Sequence, residues 1–172
     1  VSAVYKPHHQ IGGDYYDFQQ ISEHETMFCM ADVSGKGISA AFLMSNFQAT
    51  LGTLARHNFD LKTIVTELNS TIFQISQGER FITAFFAIYS KTKNTIRYIN
   101  AGHNPPFYLD RLKKIKNELT VGTTILGAFE KLPFLQEDSF NLVDYSMLFM
   151  YTDGLVELFD DKGDEIGELG LE

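Results

Sequence analysis

The sequence predicts an α+β fold in which strands and helices form separate layers. Two apolar, aromatic and β-branched segments near the N-terminus precede two segments with helical periodicity, and strand-like segments then return. Strands, then helices, then more strands indicate segregated layers rather than regular βαβ alternation. The 172 residues, of which 44% are hydrophobic, fit one domain with a sizeable core.

The first two strands are predicted at residues 14–21 and 26–33, with the turn "SEHE" between them. After Gly35-Lys36-Gly37 the pattern becomes helical, and a second helix follows with Asp60 as its N-cap. Both helices are predicted to pack one apolar face against a sheet. These faces consist of Leu43, Phe47, Leu51 and Leu54 in the first helix and Leu61, Ile64, Val65, Leu68, Ile72 and Ile75 in the second.

The C-terminal half is predicted to be mostly strand. "FITAFFAIYS" and "TIRYINAG" flank the short turn "KTKN" and therefore predict a hairpin. "PPFYLD" predicts another strand, and "SFNLVDYSMLFMYTD" predicts two more. Within that last stretch, residues 147–151 are apolar throughout and are interpreted as a buried strand that runs directly into Asp153 and Gly154.

Charge and composition argue against several classes of function. The net charge of -8 disfavours a nucleic-acid surface, and the short basic cluster at residues 111–116 is interpreted as a solvated hairpin. The apolar runs are shorter than the roughly 20 residues that cross a bilayer, so no membrane contact is predicted. The single cysteine, Cys29, excludes an internal disulfide and is predicted to be a small buried side chain. A cytoplasmic location is consistent with this and is the prediction.

Three stretches place an aspartate beside glycine: "GGDYYDF" with Asp14, "ADVSGKG" with Asp32 and "YTDGLVE" with Asp153. Carboxylate oxygens suit Mg²⁺ or Mn²⁺, and a neighbouring tight turn lets a backbone carbonyl or a water approach the same ion. Zinc is disfavoured because the usual Cys/His spacing is missing from the sequence. One such aspartate alone is more typical of a turn, but three together favour a site.

If these three carboxylates converge, their repulsion raises their pKa values unless cations lie among them. A pair of divalent ions would relieve the repulsion, lower the pKa of a bound water and bind the oxygens of a phosphoryl group. This chemistry suits hydrolysis of a phosphoester by direct attack of water.

Other candidate residues keep two interpretations. Asp17 is either a group behind the metal ligands or the polar face of a strand, and His103 either orients substrate or holds its loop by hydrogen bonds. Gly35-Lys36-Gly37 could present N–H groups to an anion. It is not a P-loop, because Met30 stands where that motif needs its first glycine. Cys29 is a poor phosphatase nucleophile, because Gly35 stands where a phosphate-binding arginine is needed.

The motifs together resemble a known family. "GGDYYDF", "ADVSGKGISAAFLM", "FITAFFAIY", "NAGHNPP" and "YTDGLVE" follow, in order, the pattern of the bacterial PPM (PP2C-like) serine/threonine phosphatases of the SpoIIE and RsbU type. The resemblance runs from about residue 1 to residue 167. It implies a PP2C-like sandwich of two antiparallel β-sheets flanked by α-helices, in agreement with the layers predicted above.

The resemblance also implies an activity and roles for individual residues. It implies Mn²⁺- or Mg²⁺-dependent removal of phosphate from a serine or threonine of an anti-sigma-factor antagonist protein, by a water that two metal ions activate. By motif position, Asp32 resembles the carboxylate that bridges both ions, and the backbone of Val33 resembles a further ligand. Asp153 resembles a ligand of the second ion, and Asp14 a ligand or a holder of metal-bound water. A regulatory sensor domain is expected in the parent protein.

The sequence departs from the family pattern at its C-terminal end, and the predicted domain extent follows from this departure. Members usually finish with a helix and a strand whose Asp-Asp pair supplies another ligand, whereas this sequence stops at "GDEIGELGLE". Asp160, Asp161 and Asp164 are interpreted as turn residues. We therefore expect one phosphatase domain over residues 1–172 that lacks this C-terminal segment.

Two other functions compete with the phosphatase as interpretations of the sequence. The alternative is a non-catalytic module of the same fold that docks the antagonist protein, and three costly like charges argue against it. A phosphoesterase for small molecules or nucleic acid is disfavoured by the acidity of the chain and by the order of its motifs.

Overall fold

A computed structural model describes residues 1–5, 13–57, 59–109, 115–158 and 167. Residues 111–114 of the predicted basic hairpin lie outside these ranges, as do Asp160, Asp161 and Asp164. The described chain forms a large sheet with two long helices on one face and a three-stranded sheet on the other. The predicted α+β fold with segregated layers is confirmed.

The N-terminal part closely follows the sequence-based prediction. It contains strands β1 (Asp14–Gln20) and β2 (Glu25–Val33) and helices α1 (Ile38–Arg56) and α2 (Leu61–Ser76). The predicted N-cap of α2 is confirmed, since the Asp60 carboxylate accepts hydrogen bonds from the Thr63 backbone N–H at 3.0 Å and from its hydroxyl at 2.6 Å. These bonds satisfy a donor that the first turn of a helix otherwise leaves unpaired.

The C-terminal part contains both expected and unexpected strands. The predicted hairpin is β3 (Ile82–Ser90) with β4 (Thr95–Ala101), and the "PPFYLD" strand is β5 (Phe107–Leu109). Two short strands were not predicted, β6 (Ile115–Glu118) and β7 (Gly122–Thr123). The last described elements are β8 (Asp138–Asn141), β9 (Met147–Phe149) and the short helix α3 (Asp153–Val156).

The strands divide between two sheets. The large sheet has the order β1-β2-β3-β4-β7, with β8 also paired to β4, and the small sheet has the order β6-β5-β9. The pairs are antiparallel except β4 with β7, which is parallel. Strands β8 and β9 were predicted from one continuous stretch, yet the fold places them in different sheets.

Strand β3 lies between two hydrophobic cores. Successive side chains of a strand point to opposite faces, and Phe85 and Phe86 are both fully buried. Phe86 joins the core between the large sheet and the helices, together with Phe47 and Leu51 of α1. Phe85 joins the core between the two sheets, where it stacks on Tyr98 with ring centroids 5.7 Å apart.

Two expectations about burial were wrong in part. Only residues 147–149 of the apolar run at 147–151 form a strand, and Met147 is 47% exposed. The reason is that β9 is an edge strand of the small sheet as described, so one side of it has no neighbouring strand there. In α2 the apolar stripe is core as far as Ile72, whereas Ile75 is 39% exposed in the last turn before the left-handed Gln77.

Two further observations concern Cys29 and membranes. Cys29 is 1% exposed on β2, so the predicted buried cysteine is confirmed. Its burial raises the pKa of the thiol well above its usual value. None of the helices in the described ranges combines the length and the apolar character needed to cross a bilayer.

Candidate metal centre

Strands β1 and β2 place Asp14 and Asp32 side by side. The two strands are antiparallel, and their register puts Asp14 directly opposite Asp32. On its other side, Asp32 lies opposite Thr83 of β3. Because residues alternate along β2, the core-facing positions on the helix side are Met27, Cys29, Ala31 and Val33, and Asp32 therefore points to the opposite face. That face is the one toward the small sheet.

Asp153 reaches the same place from the small sheet. The ring of Tyr151 stacks on Phe107 of β5 and on Phe149 of β9, with centroid distances of 5.5 and 5.8 Å. This anchored aromatic residue fixes the chain two residues before Asp153. Thr152 is the extended N-cap residue of α3, and Asp153 begins the helix.

The three carboxylates meet at one end of the sandwich. Each of Asp14, Asp32 and Asp153 offers an oxygen, and these oxygens all lie within 4.8 Å of one another. Asp14 and Asp32 are half-buried, while Asp153 is exposed, so solvent reaches the cluster from the side of Asp153. The structure thus brings together the three aspartates that the sequence singled out, and their role as metal ligands stays a prediction.

The backbone beside Asp32 places a carbonyl oxygen close to the carboxylate of that residue. A Cβ placed on Gly13 would lie 2.8 Å from Oδ1 of Asp32 and 3.0 Å from the carbonyl oxygen of Val33. Both oxygens therefore face the space next to Gly13, which a side chain would fill. Val33 also donates its N–H to the Gly13 carbonyl at 3.3 Å, which holds the two segments together. A set made entirely of oxygens fits Mg²⁺ or Mn²⁺.

The electrostatics of the cluster favour a bound cation. Burial, together with the neighbouring charges of Asp14 and Asp153, raises the pKa of Asp32 to about 6. Burial also raises the pKa of Asp14, an effect that a hydrogen bond from the Thr152 side chain opposes. Uncompensated, these carboxylates repel one another at neutral pH, and a divalent cation among them would remove that cost.

A fourth carboxylate was not recognised from the sequence. The charge of Glu157 also raises the pKa of Asp32. Glu157 follows Asp153 by four residues, immediately after α3, so one turn of helix brings it back to the side of the cluster. The helical spacing of the two residues in "DGLVE" was the available signal.

His103 is a buried, neutral residue whose hydrogen bonds hold its loop in place. It is 4% exposed, and its Nδ1 lies 3.0 Å from Oγ1 of Thr83. Burial lowers its pKa to about 4, against the opposing influence of the Tyr151 backbone and the charge of Asp153, so the ring is neutral at pH 7. The Asn100 side chain accepts from the His103 N–H at 2.8 Å and donates to its carbonyl at 3.0 Å. Of the two interpretations, these contacts support the loop role.

Asp17 lies on the other face of β1. Its carboxylate accepts hydrogen bonds from the Tyr15 hydroxyl at 2.8 Å and from the Gln19 side chain. Together with Arg56 of α1 it lines a shallow polar cavity of about 300 Å³ between β1 and that helix. The polar-face interpretation therefore applies to Asp17.

Comparison with known proteins decides the family. The pattern of the family described as Stage II sporulation protein E (SpoIIE) matches residues 22–171. The chain belongs to the SpoIIE family. The sequence resemblance is thereby confirmed, with four of its five motifs inside the matched range and "GGDYYDF" before it.

This SpoIIE-family chain is similar in sequence to the phosphoserine phosphatase RsbU of Bacillus subtilis. The two are 30% identical over 163 residues, which are 95% of this chain and 48% of RsbU. The chain thus spans about half the length of that relative.

Solved structures confirm the PP2C-like fold. The SiaA PP2C domain of Pseudomonas aeruginosa superposes with a TM-score of 0.82 at 16% identity, over 98% of this chain and 67% of that one. RsbX, whose crystal structure is a complex with magnesium, superposes with a TM-score of 0.70 at 18% identity, over 88% of this chain and 71% of its own. The predicted architecture is therefore confirmed, with the parallel β4–β7 pair as an addition to the antiparallel sheets.

Proposed function

We propose that this chain is the phosphatase domain of a metal-dependent protein serine/threonine phosphatase. The observation that carries the proposal is the meeting of three carboxylates within 4.8 Å in a chain of the SpoIIE family. The relationship to a phosphoserine phosphatase, RsbU, supports the reaction, and the magnesium complex of RsbX supports the choice of Mg²⁺ or Mn²⁺. The reaction is hydrolysis of a phosphoserine or phosphothreonine ester by water.

The residues that would hold two divalent ions are Asp14, Asp32, Val33 and Asp153. Asp32 is the central one, because the charges of both Asp14 and Asp153 act on it. Asp32 would help to hold both ions, together with the Val33 carbonyl beside it and the exposed Asp153. When bound, the ions would neutralise these carboxylates, lower the pKa of water and offset the charge of a phosphoryl group.

The protein groups around the cluster fix its shape. The register of β1 with β2 sets the distance between Asp14 and Asp32, and the Thr152 side chain orients Asp14. The neutral His103 ring is hydrogen-bonded to Thr83, the residue opposite Asp32 on β3, and adds no charge there. The exposed position of Asp153 leaves room for a phosphorylated side chain of another protein to approach.

We further propose the biological setting that the family resemblance implies. The substrate is a phosphorylated anti-sigma-factor antagonist protein, and a sensor domain in the parent protein controls the phosphatase in the cytoplasm. RsbU is about twice as long as the matched region, so the remainder of that relative is long enough to hold a further domain of this kind.

The test is phosphate release from a phosphoserine-containing antagonist protein by the full-length parent protein across a Mn²⁺ titration. We expect turnover that requires the metal and that Asp32→Asn abolishes. Asp144→Asn is the matched control, because Asp144 is an exposed aspartate of the β8–β9 connection. Binding of the phosphorylated protein without any release of phosphate would overturn the proposal in favour of a docking module.

A further inference from the structure

Ser34 directly follows Val33. Its three polar groups are all hydrogen-bonded to Arg80 and Phe81, the two residues that immediately precede β3. Its N–H donates to the Phe81 carbonyl at 2.9 Å, and its Oγ accepts from the Phe81 N–H at 2.9 Å. Its carbonyl accepts from Nη1 of Arg80 at 3.1 Å. Ser34 is thus held from one side by residues 80 and 81.

The bond from the Ser34 N–H to the Phe81 carbonyl determines where the Val33 carbonyl points. The Val33 C=O and the Ser34 N–H belong to one planar trans peptide and point in opposite directions. Since the Ser34 N–H faces Phe81, the Val33 oxygen faces away from it, toward Gly13 and Asp32. The 3.0 Å between that oxygen and a Cβ position on Gly13 agrees with this direction.

Arg80 also occupies the space beside the next residue, Gly35. A Cβ on Gly35 would collide with the Arg80 guanidinium, and the φ of +95° at Gly35 independently favours glycine. The backbone of Arg80 is fixed in turn, because its carbonyl accepts from the hydroxyl of Ser76, the last residue of α2, at 2.9 Å. Arg80 therefore connects the end of α2 to the loop that leaves the candidate metal centre.

We propose that Arg80 is a positioning residue of the metal site. By donating to the Ser34 carbonyl and covering Gly35, its guanidinium holds the peptides that follow Val33 and keeps the Val33 oxygen directed at the metal position beside Asp32. Groups that orient metal ligands without touching the metal commonly contribute 10- to 100-fold to affinity. This inference rests on the metal site of the proposed function and assigns to it a residue that lies outside the donor set.

The experiment measures Mn²⁺ affinity by titration calorimetry on the full chain, for the wild type and for Arg80→Ala. We expect the Kd for Mn²⁺ to rise by about 10- to 100-fold in Arg80→Ala. Arg80→Lys should give an intermediate Kd, because an ammonium group can reach a carbonyl but lacks the planar fork that lies over Gly35. If Arg80→Ala does not fold, the Mn²⁺ Kd of Arg80→Lys alone tests the inference. Phosphate release by Arg80→Ala should return toward the wild-type rate when Mn²⁺ is saturating.

The matched control is Arg97→Ala. Arg97 is a half-buried arginine of β4 that pairs with Glu137 at 3.3 Å and Glu25 at 3.8 Å. Its loss should lower the unfolding temperature but leave the Mn²⁺ Kd at the wild-type value. An equal loss of affinity in Arg97→Ala would show a general effect of destabilisation and would overturn the inference.

Two further results would also overturn it, and they separate it from the proposed function. Wild-type Mn²⁺ affinity in Arg80→Ala, or a rate defect that persists at saturating Mn²⁺, would remove Arg80 from metal positioning while leaving the phosphatase intact. Failure of the wild type itself to bind Mn²⁺ would refute both the metal site and this role of Arg80.

Discussion

Asp32 is under electrostatic strain when no cation is present. Its folded-state pKa of about 6 lies above the usual 3.8, so the folded chain binds more protons than the unfolded chain between these pH values. Its contribution to the free energy of unfolding therefore falls as the pH rises through that window. With solvent screening of this half-buried group, ionisation costs about 1 kcal/mol at pH 7.

We predict that Asp32→Asn makes the metal-free protein more stable at pH 7, by about 1 kcal/mol. Urea unfolding in EDTA at pH 4.5 and pH 7 measures the effect, which should be smaller at the lower pH because the wild-type carboxyl is then protonated. Asp144→Asn should change neither value. A destabilising effect of Asp32→Asn in EDTA at pH 7 would contradict the electrostatic account.

The protonation of His103 affects stability in the opposite direction to that of Asp32. Its folded-state pKa of about 4 lies below the usual 6.5, so the unfolded chain binds more protons between these values and the free energy of unfolding falls as the pH falls. We predict that His103→Ala costs about 2 kcal/mol at pH 7, because it removes the buried partner of the Thr83 hydroxyl. The variant should also lose less stability than the wild type between pH 7 and pH 5.

Urea unfolding at both pH values tests this prediction. The exposed His24→Ala serves as the control, and it should keep the wild-type stability at pH 7. If His103→Ala lost as much stability on acidification as the wild type, the acid sensitivity would belong to other groups.

At the scale of single residues, the sequence predicted a functional residue where a chemically suitable side chain lies at a recognisable position of the local pattern. Asp14, Asp32 and Asp153 were predictable because each lies in a stretch that also contains glycine, and two of them, Asp32 and Asp153, follow apolar runs. Arg80 was not, because its role depends on the pairing of two segments that lie 46 residues apart. The function of Asp17 stayed open because alternation along a strand gives two faces but does not say which face meets the site.

At the scale of elements, the N-terminus of α2 gives a direct test. Removing the Asp60 side chain leaves the Thr63 N–H without its partner, so we predict that Asp60→Ala costs about 1 kcal/mol of stability. Asp60→Asn should keep most of it, because an amide oxygen also caps. Thermal unfolding measures the differences, with the exposed helix residue Glu67→Ala as the control. Equal losses in Asp60→Ala and Glu67→Ala would rule out a capping effect.

Long periodic elements were predictable, and short paired ones were not. Helix α2 was foreseen from its spacing of apolar residues and its N-cap, and the β3–β4 hairpin from its turn. Strand β7 has two residues, Gly122 and Thr123, and exists through its parallel pairing with Asn100 and Ala101. A segment this short has no periodicity of its own, so nothing local in the sequence could indicate it.

At the scale of the whole molecule, metal binding should stabilise the fold. A ligand that binds the folded state at 100 times its Kd adds about 2.7 kcal/mol. For a chain of this size that corresponds to a rise of roughly 5–10 °C in Tm. We predict such a rise on adding Mn²⁺, measured by differential scanning calorimetry. EDTA should reverse it, and Asp32→Asn should abolish it.

The result that would contradict this prediction is an equal rise in the wild type and in Asp32→Asn, since the metal would then bind elsewhere. Asp144→Asn, with its carboxylate cluster intact, should respond to Mn²⁺ as the wild type does.

The fold class was predictable from the order of elements, but the partition of strands between sheets was not. Strands β8 and β9 are adjacent in sequence, yet β8 pairs with β4 and β9 with β5. The partition depends on long-range packing, such as the contact of Tyr108 with Phe140 between the sheets at a centroid distance of 4.6 Å. This contact joins residues whose separation along the chain gives no local signal.

Cys29 gives the protein a built-in optical probe of its own unfolding. It is the single thiol of the chain, it is 1% exposed, and it lies three residues before Asp32 on the same strand. A chromogenic disulfide reagent can reach it after β2 separates from its neighbours, so the reaction rate reports how often this strand opens. Metal-dependent protection of this thiol would then record site occupancy in unlabelled, unmutated protein.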